Sequence, residues 1–165
     1  MEQEILQKLS DHQHNGNDSQ RIYYQNLAGF APSNIILRPA TIAVAAGNND
    51  DYIIAPISGN LLSVDFSATV ALAASDTNYI TWTITNLGQA GSGTAVMLAT
   101  TPAGVNTTKA TGGTAISANT KKQLSLSLTG SATQVVEGDR LLIRAAVTGT
   151  LANTVTFPTY MLRFK

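Results

Sequence analysis

The chain has 165 residues, with 10 Lys and Arg balancing 10 Asp and Glu, and no cysteine. That length suits one domain with room for a short extra arm, and 44% hydrophobic residues are enough to bury a core rather than leave the chain disordered. Zero formal net charge and 12% charged residues argue against a nucleic-acid binder held by phosphate contacts, and the lack of Cys excludes disulfides, thiolate metal sites and a cysteine nucleophile.

In chain order, residues 1–33 read as an N-terminal attachment and oligomerisation arm and residues 34–165 as the folded domain. Residues 2–10 form a short predicted helix: Ile5, Leu6 and Leu9 share a face and Glu4 stands four residues before Lys8. So short a helix does not hold in water alone, so it docks or frays. The start has no apolar core of a secretory signal, and no run reaches the roughly 18 apolar residues of a membrane span. Both histidines follow, His12 and His14. Two residues apart in extended backbone, they point the same way and can reach one metal ion. Two imidazoles make too few ligands within one chain. On a threefold axis three chains supply six, which suits an octahedral transition metal ion shared by three chains. Asp11 and Asp18 are then partners that fix the histidine tautomers. The plain alternative is a pair of exposed polar histidines in a turn. Residues 15–20, NGNDSQ, read as that turn. Tyr23, Tyr24 and Phe30 either plug into a neighbour or cover the base of the domain.

From residue 34 the pattern has period two. Val64, Phe66, Ala68, Val70 and Leu72 alternate with Ser63, Asp65, Ser67, Thr69 and Ala71; Ile80, Trp82 and Ile84 alternate with Tyr79, Thr81, Thr83 and Thr85. Leu124, Leu126 and Leu128 continue it, then Leu141, Ile143, Ala145 and Val147, and last Tyr160, Leu162 and Phe164. Such alternation marks strands with one buried face. Shorter strands are expected at 35–37, 41–45, 52–54, 94–98 and 134–136, with turns at 47–50, 58–60, 88–93, 111–113 and 137–139. Many short strands with no helix between them exclude a parallel sheet. The expected fold is all-β: an antiparallel, jelly-roll-like β-sandwich carrying a short helical or extended arm. Its outward positions hold Thr and Ser rather than Lys and Glu, which suits either a solvated face or one desolvated cheaply against neighbouring subunits.

The segment H-x-H-N-G-x-D-S, from His12 to Ser19, followed by Ile22, resembles a segment near the starts of tailed-phage virion proteins, above all trimeric fibre and minor structural proteins. That resemblance implies a homotrimer, His12 and His14 as metal ligands on the threefold axis, and a place on the phage particle surface. The sandwich is similar to jelly rolls of fibre tips, head fibres and capsid decoration proteins. Unlike a long fibre, the chain has no repetitive shaft after the motif. Expected partners are therefore copies of itself and the major capsid protein or tail and baseplate proteins, with no nucleic acid and no membrane.

Enzymatic readings fare worse. Gly88, Gly91 and Gly93 lead into an apparent strand, without the helix and Lys of a phosphate loop. No G-x-S-x-G elbow appears. Three Glu and seven Asp, most in apparent turns, leave few carboxylate pairs for glycoside cleavage. Asp65 is expected mid-strand on the polar face, in solvent or paired with an Arg, and Trp82 is expected in the core. The expected function is non-enzymatic: a head decoration (cement) or head-fibre protein. The alternatives are a short tail-fibre or adaptor protein touching a host cell-surface glycan, and a carbohydrate-binding module.

Overall fold

The computed structural model describes residues 33–39 and 41–165. The expected arm thus lies outside the described residues except Ser33, which opens the first strand. The described residues form nine strands: β1 (Ser33–Leu37), β2 (Gly47–Ile54), β3 (Gly59–Ser67), β4 (Tyr79–Asn86), β5 (Ala95–Val96), β6 (Lys122–Leu124), β7 (Gln134–Val135), β8 (Arg140–Thr148) and β9 (Thr159–Phe164). One sheet runs β1-β9-β3-β6, with β7 also on β3; the other runs β2-β8-β4-β5. Every pairing is antiparallel. The order has a simple logic: β1 lies beside β9, β2 beside β8, β3 beside β6, and β4 beside β5. The chain is one long hairpin, with β4 and β5 at its tip, rolled up so that β1 to β4 fall alternately in the two sheets, which is a jelly roll.

Alternation builds it. In β8, Leu141, Ile143, Ala145 and Val147 are buried while Arg140 and Arg144 face out, and β4 and β9 bury Ile80, Trp82 and Ile84 and Tyr160, Leu162 and Phe164 in the same way. The sheets meet through aromatic rings. Phe66 lies 4.8 Å from Trp82 and 5.1 Å from Tyr160, both tilted. Trp82 Nε1 donates to the Tyr160 hydroxyl at 3.1 Å, so the one polar handle on each ring is satisfied inside the core. A bulge in β3 keeps the phase: Leu61 pairs with Phe164 and Ser63 with Arg163, so Leu62 is an extra residue and both Leu61 and Val64 point inward.

Several expectations are corrected. Residues 47–50, expected as a turn, open β2, because Gly47 to Asp50 pair with Val147 to Arg144 of β8. Pairing with a long neighbour outweighs local turn preference. In 41–45 only Ile42 pairs, with Val155. The strand from Val64 ends at Ser67, and Leu72 makes an isolated bridge to Ile116. Leu128 is not inward with Leu124 but fully exposed, because the chain leaves β3 after Leu124 to meet the other sheet.

That departure closes one side of the sandwich. Ala99 N–H donates to Ser125 O and Ser127 N–H to Met97 O, both at 2.8 Å, joining the edges carrying β5 and β6. The buried Asn106 side chain staples the seam, donating to Ala99 O (3.0 Å) and Ser125 O (2.9 Å) and accepting from Ser125 N–H (2.8 Å).

Candidate functional site

Strand directions give the roll two distinct ends. Ser33 pairs with Phe164, Ile54 with Arg140, Gly59 with Val135, and Asn60 N–H donates to Lys165 O. These contacts gather the entry of the domain, its last residue and the turns at 55–58, 87–94 and 136–139 at one end, the base. The opposite, distal end carries the longer connections at 68–78, 97–121 and 149–158. Whatever precedes Ser33 therefore joins the roll at its base, away from the long loops.

The base is tightly tied. The Asp139 carboxylate accepts from Val136 N–H at 2.8 Å and from Asn86 Nδ2 at 2.9 Å, and Gly138, at φ 90°, makes the turn between them. The glycine-rich loop at 88–93 is a hairpin connection between β4 and β5, as expected: Gly93 N–H donates to Leu87 O at 2.7 Å. Large apolar side chains stand exposed toward this end, among them Ile54 (56%), Val136 and Leu62.

The outward face of the β2-β8-β4-β5 sheet mixes apolar and charged groups. Arg140 lies 4.1 Å over the Tyr52 ring. Arg144 clamps Asp50 through Nε and Nη2, both at 2.7 Å. That hydrogen-bonded pair holds the Asp50 carboxyl below its usual range, while burial, aided by the charge of Asp50, raises that of Asp51. Asp51 shares the inward phase of Ile53, an inward charge on an edge strand.

On the other sheet, Asp65 is neither solvated nor paired with an Arg. It is 7% exposed; Lys121 Nζ lies 3.4 Å from its Oδ2, and its Oδ1 has no hydrogen-bond partner among the described residues. Trp82 is in the core, as expected.

At the distal end Phe157 is 77% exposed and sits at φ 50°, a strained backbone for a bulky residue. Its neighbours hold it there: Thr69 Oγ1 donates to Thr156 O at 3.0 Å, Val155 is paired with Ile42, and Pro158 is buried. Beside β4 a groove of about 230 Å³ opens between Tyr79, Thr81 and Thr83 and the stretch from Val96 to Thr100, with Lys109 at its distal end.

His12, His14, Tyr23, Tyr24 and Phe30 lie outside the described residues. Among the described residues no group of three His, Cys, Asp or Glu is placed to hold a metal ion, and no helix is long and apolar enough to cross a membrane. Sequence reasoning missed the exposed Tyr52, Ile54 and Phe157. In Tyr52-Ile53-Ile54 both phases are apolar, so periodicity cannot tell inside from outside; for Phe157 the one local signal is the proline after it. No family model, curated protein or solved structure matches the chain.

Proposed function

We propose that this chain is a structural protein of a tailed-phage virion, a homotrimeric head decoration (cement) or head-fibre protein attached through its N-terminal arm. The observation that carries this reading is the two-ended roll. The described chain enters the domain at the base, at Ser33, on the side of the sequence that carries His12 to Ser19, the segment resembling one near the starts of tailed-phage virion proteins, while the long loops lie at the other end. A protein that fastens by its arm and projects its roll needs this polarity. Eight-stranded jelly rolls recur in viral capsid and lectin domains, but a fold alone does not name a function, so the weight rests on the sequence of residues 12–19 and on the entry of the domain at the base.

Association would be the mechanism. Apolar surface buried at contacts contributes roughly 25 cal/mol per Å², and three arms acting together raise the avidity of one weak attachment. Ile54, Val136 and Leu62, exposed toward the base, are suited to that burial. On the threefold axis, paired His12 and His14 side chains would hold a transition metal ion; their loss in a His12→Ala, His14→Ala double variant removes the metal found by elemental analysis of purified protein. The adapter or short tail-fibre reading is the second choice, favoured by the strained, exposed Phe157 at the free end.

Immunogold labelling of particles released from cells carrying the gene tests the proposal. Label on capsid facets, and a raised melting temperature when the protein is added to capsids lacking it, is the expected result. Label on the tail selects the second reading, and absence of the protein from purified particles overturns both.

A further inference from the structure

We propose that the groove beside Tyr79 binds an acidic sugar, a pyranose unit carrying a carboxylate. The groove arises from the path of the chain. β5 pairs with Thr85 and Asn86, and Met97 N–H still donates to Ile84 O before the chain leaves the β4 edge to join Ser125 and Ser127; it returns at Asn106, whose carbonyl accepts from Trp82 N–H, with Thr107 opposite Thr81. Along this detour the outward side chains of β4, Tyr79, Thr81 and Thr83, border an opening of about 230 Å³. That is below the roughly 300–1,000 Å³ of pockets for drug-sized ligands, and suits one ring rather than a long chain.

Its lining is chemically mixed. Tyr79, Val96 and Leu98 supply ring and aliphatic surface. The hydroxyls of Tyr79, Thr83 and Thr100 make no hydrogen bond to any described residue, so they are free to donate and accept. Lys109 Nζ stands over the Tyr79 ring, 5.8 Å from its centroid, and has no carboxylate within 4 Å among the described residues. The Asp76 carboxyl, held below its usual range by its hydrogen bonds from Thr111 and, less, by the charge of Lys109, accepts from Thr111 N–H at 2.8 Å. A pyranose presents a C–H face and a rim of hydroxyls, which matches ring surface bordered by free hydroxyls. The unpaired ammonium selects a carboxylate on that ring, through a charge-assisted hydrogen bond. A small inorganic anion would leave the ring surface unused, and an apolar group would leave the ammonium and hydroxyls unmatched. Tyr79 opens β4 at the distal end, so the groove stays accessible when the base is attached, to head or tail alike.

The test is an amide chemical-shift titration of the intact chain with tri-galacturonate and, separately, with the same trimer methyl-esterified. The acid is expected to shift amides at 79–83, 96–100 and 105–109, and the neutral ester to bind more weakly. Lys109→Gln lowers affinity for the acid about two- to fivefold, the scale of an exposed ion pair, and leaves the ester unchanged. Tyr79→Phe, which keeps the ring, weakens both sugars, and Tyr79→Ala abolishes binding while the melting temperature shows the variant folded. No shift at these amides with either sugar overturns the proposal, as does equal affinity for acid and ester, or binding unchanged by Lys109→Gln and the Tyr79 variants.

Discussion

The Tyr160 hydroxyl shows how one atom sets the packing of the core. It accepts the Trp82 Nε1 hydrogen at 3.1 Å, and burial pushes its pKa well above the ordinary phenol range, so it stays neutral while the roll is folded. Tyr160→Phe leaves a buried N–H without its acceptor, at a cost of about 1–3 kcal/mol. A lower urea midpoint with unchanged slope is the expected reading. Asp50 and Asp51 give opposite pH signatures from adjacent positions. The Arg144 clamp lowers the pKa of Asp50, so its stabilisation is present above the ordinary value of 3.8 and is lost as pH falls through the lower folded value. Desolvation raises that of Asp51, so its penalty is present above the raised folded value and fades as pH falls toward 3.8. Asp51→Asn should therefore stabilise near neutral pH by a few tenths of a kcal/mol, after screening, with the gain shrinking toward about pH 4 in thermal melts. A gain that grows on acidification contradicts this assignment. Asp65 is the residue the sequence misplaced. Its position in the strand was legible, but its burial depends on Met161 and Gln123 of the paired strands, which no local pattern reveals.

Between elements, the seam stapled by Asn106 turns two sheet edges into one closed side. Asn106→Ala strips Ala99 O and the Ser125 N–H of their partner and leaves Ser125 O with only Ala99 N–H, and should cost about 1–3 kcal/mol, since part-buried backbone groups lose their bonds at once. Faster hydrogen exchange at Ser125 should accompany it; unchanged exchange there would mean the seam holds without the staple. The strands that read most clearly, β4, β8 and β9, are those with a solvated or half-solvated outer face, where apolar and polar residues must alternate. The ones that misread have a local reason. Gly47-Asn48-Asn49-Asp50 carries turn residues, yet Asn49 is used in the strand: its Nδ2 reaches Ala145 O and its Oδ1 accepts from Ala43 N–H, each at 3.3 Å. Leu128 kept the apolar phase of Leu124 and Leu126 but lies beyond the seam, where the chain no longer follows a sheet. Alternation reports which residues face inward along a strand; it does not report where the strand stops.

For the molecule as a whole, polarity is the useful result. The chain enters the roll at the base, at Ser33, and holds its long loops and the Tyr79 groove toward the other end, an arrangement the sequence could not show because it depends on strand order. The candidate metal pair, by contrast, was legible as sequence alone and lies outside the described residues. Charged substitutions at exposed base residues should separate assembly from folding: Ile54→Asp with Val136→Asp should weaken self-association or attachment. The same double variant should change stability within about 0.5 kcal/mol per site, as surface changes do. Loss of stability without loss of association would place these residues in the fold rather than in a contact. The account stands most directly on the mass of the intact chain in solution, read by native mass spectrometry. It predicts a species of three times the 17.3 kDa chain mass, and a monomer at every concentration tested would contradict it.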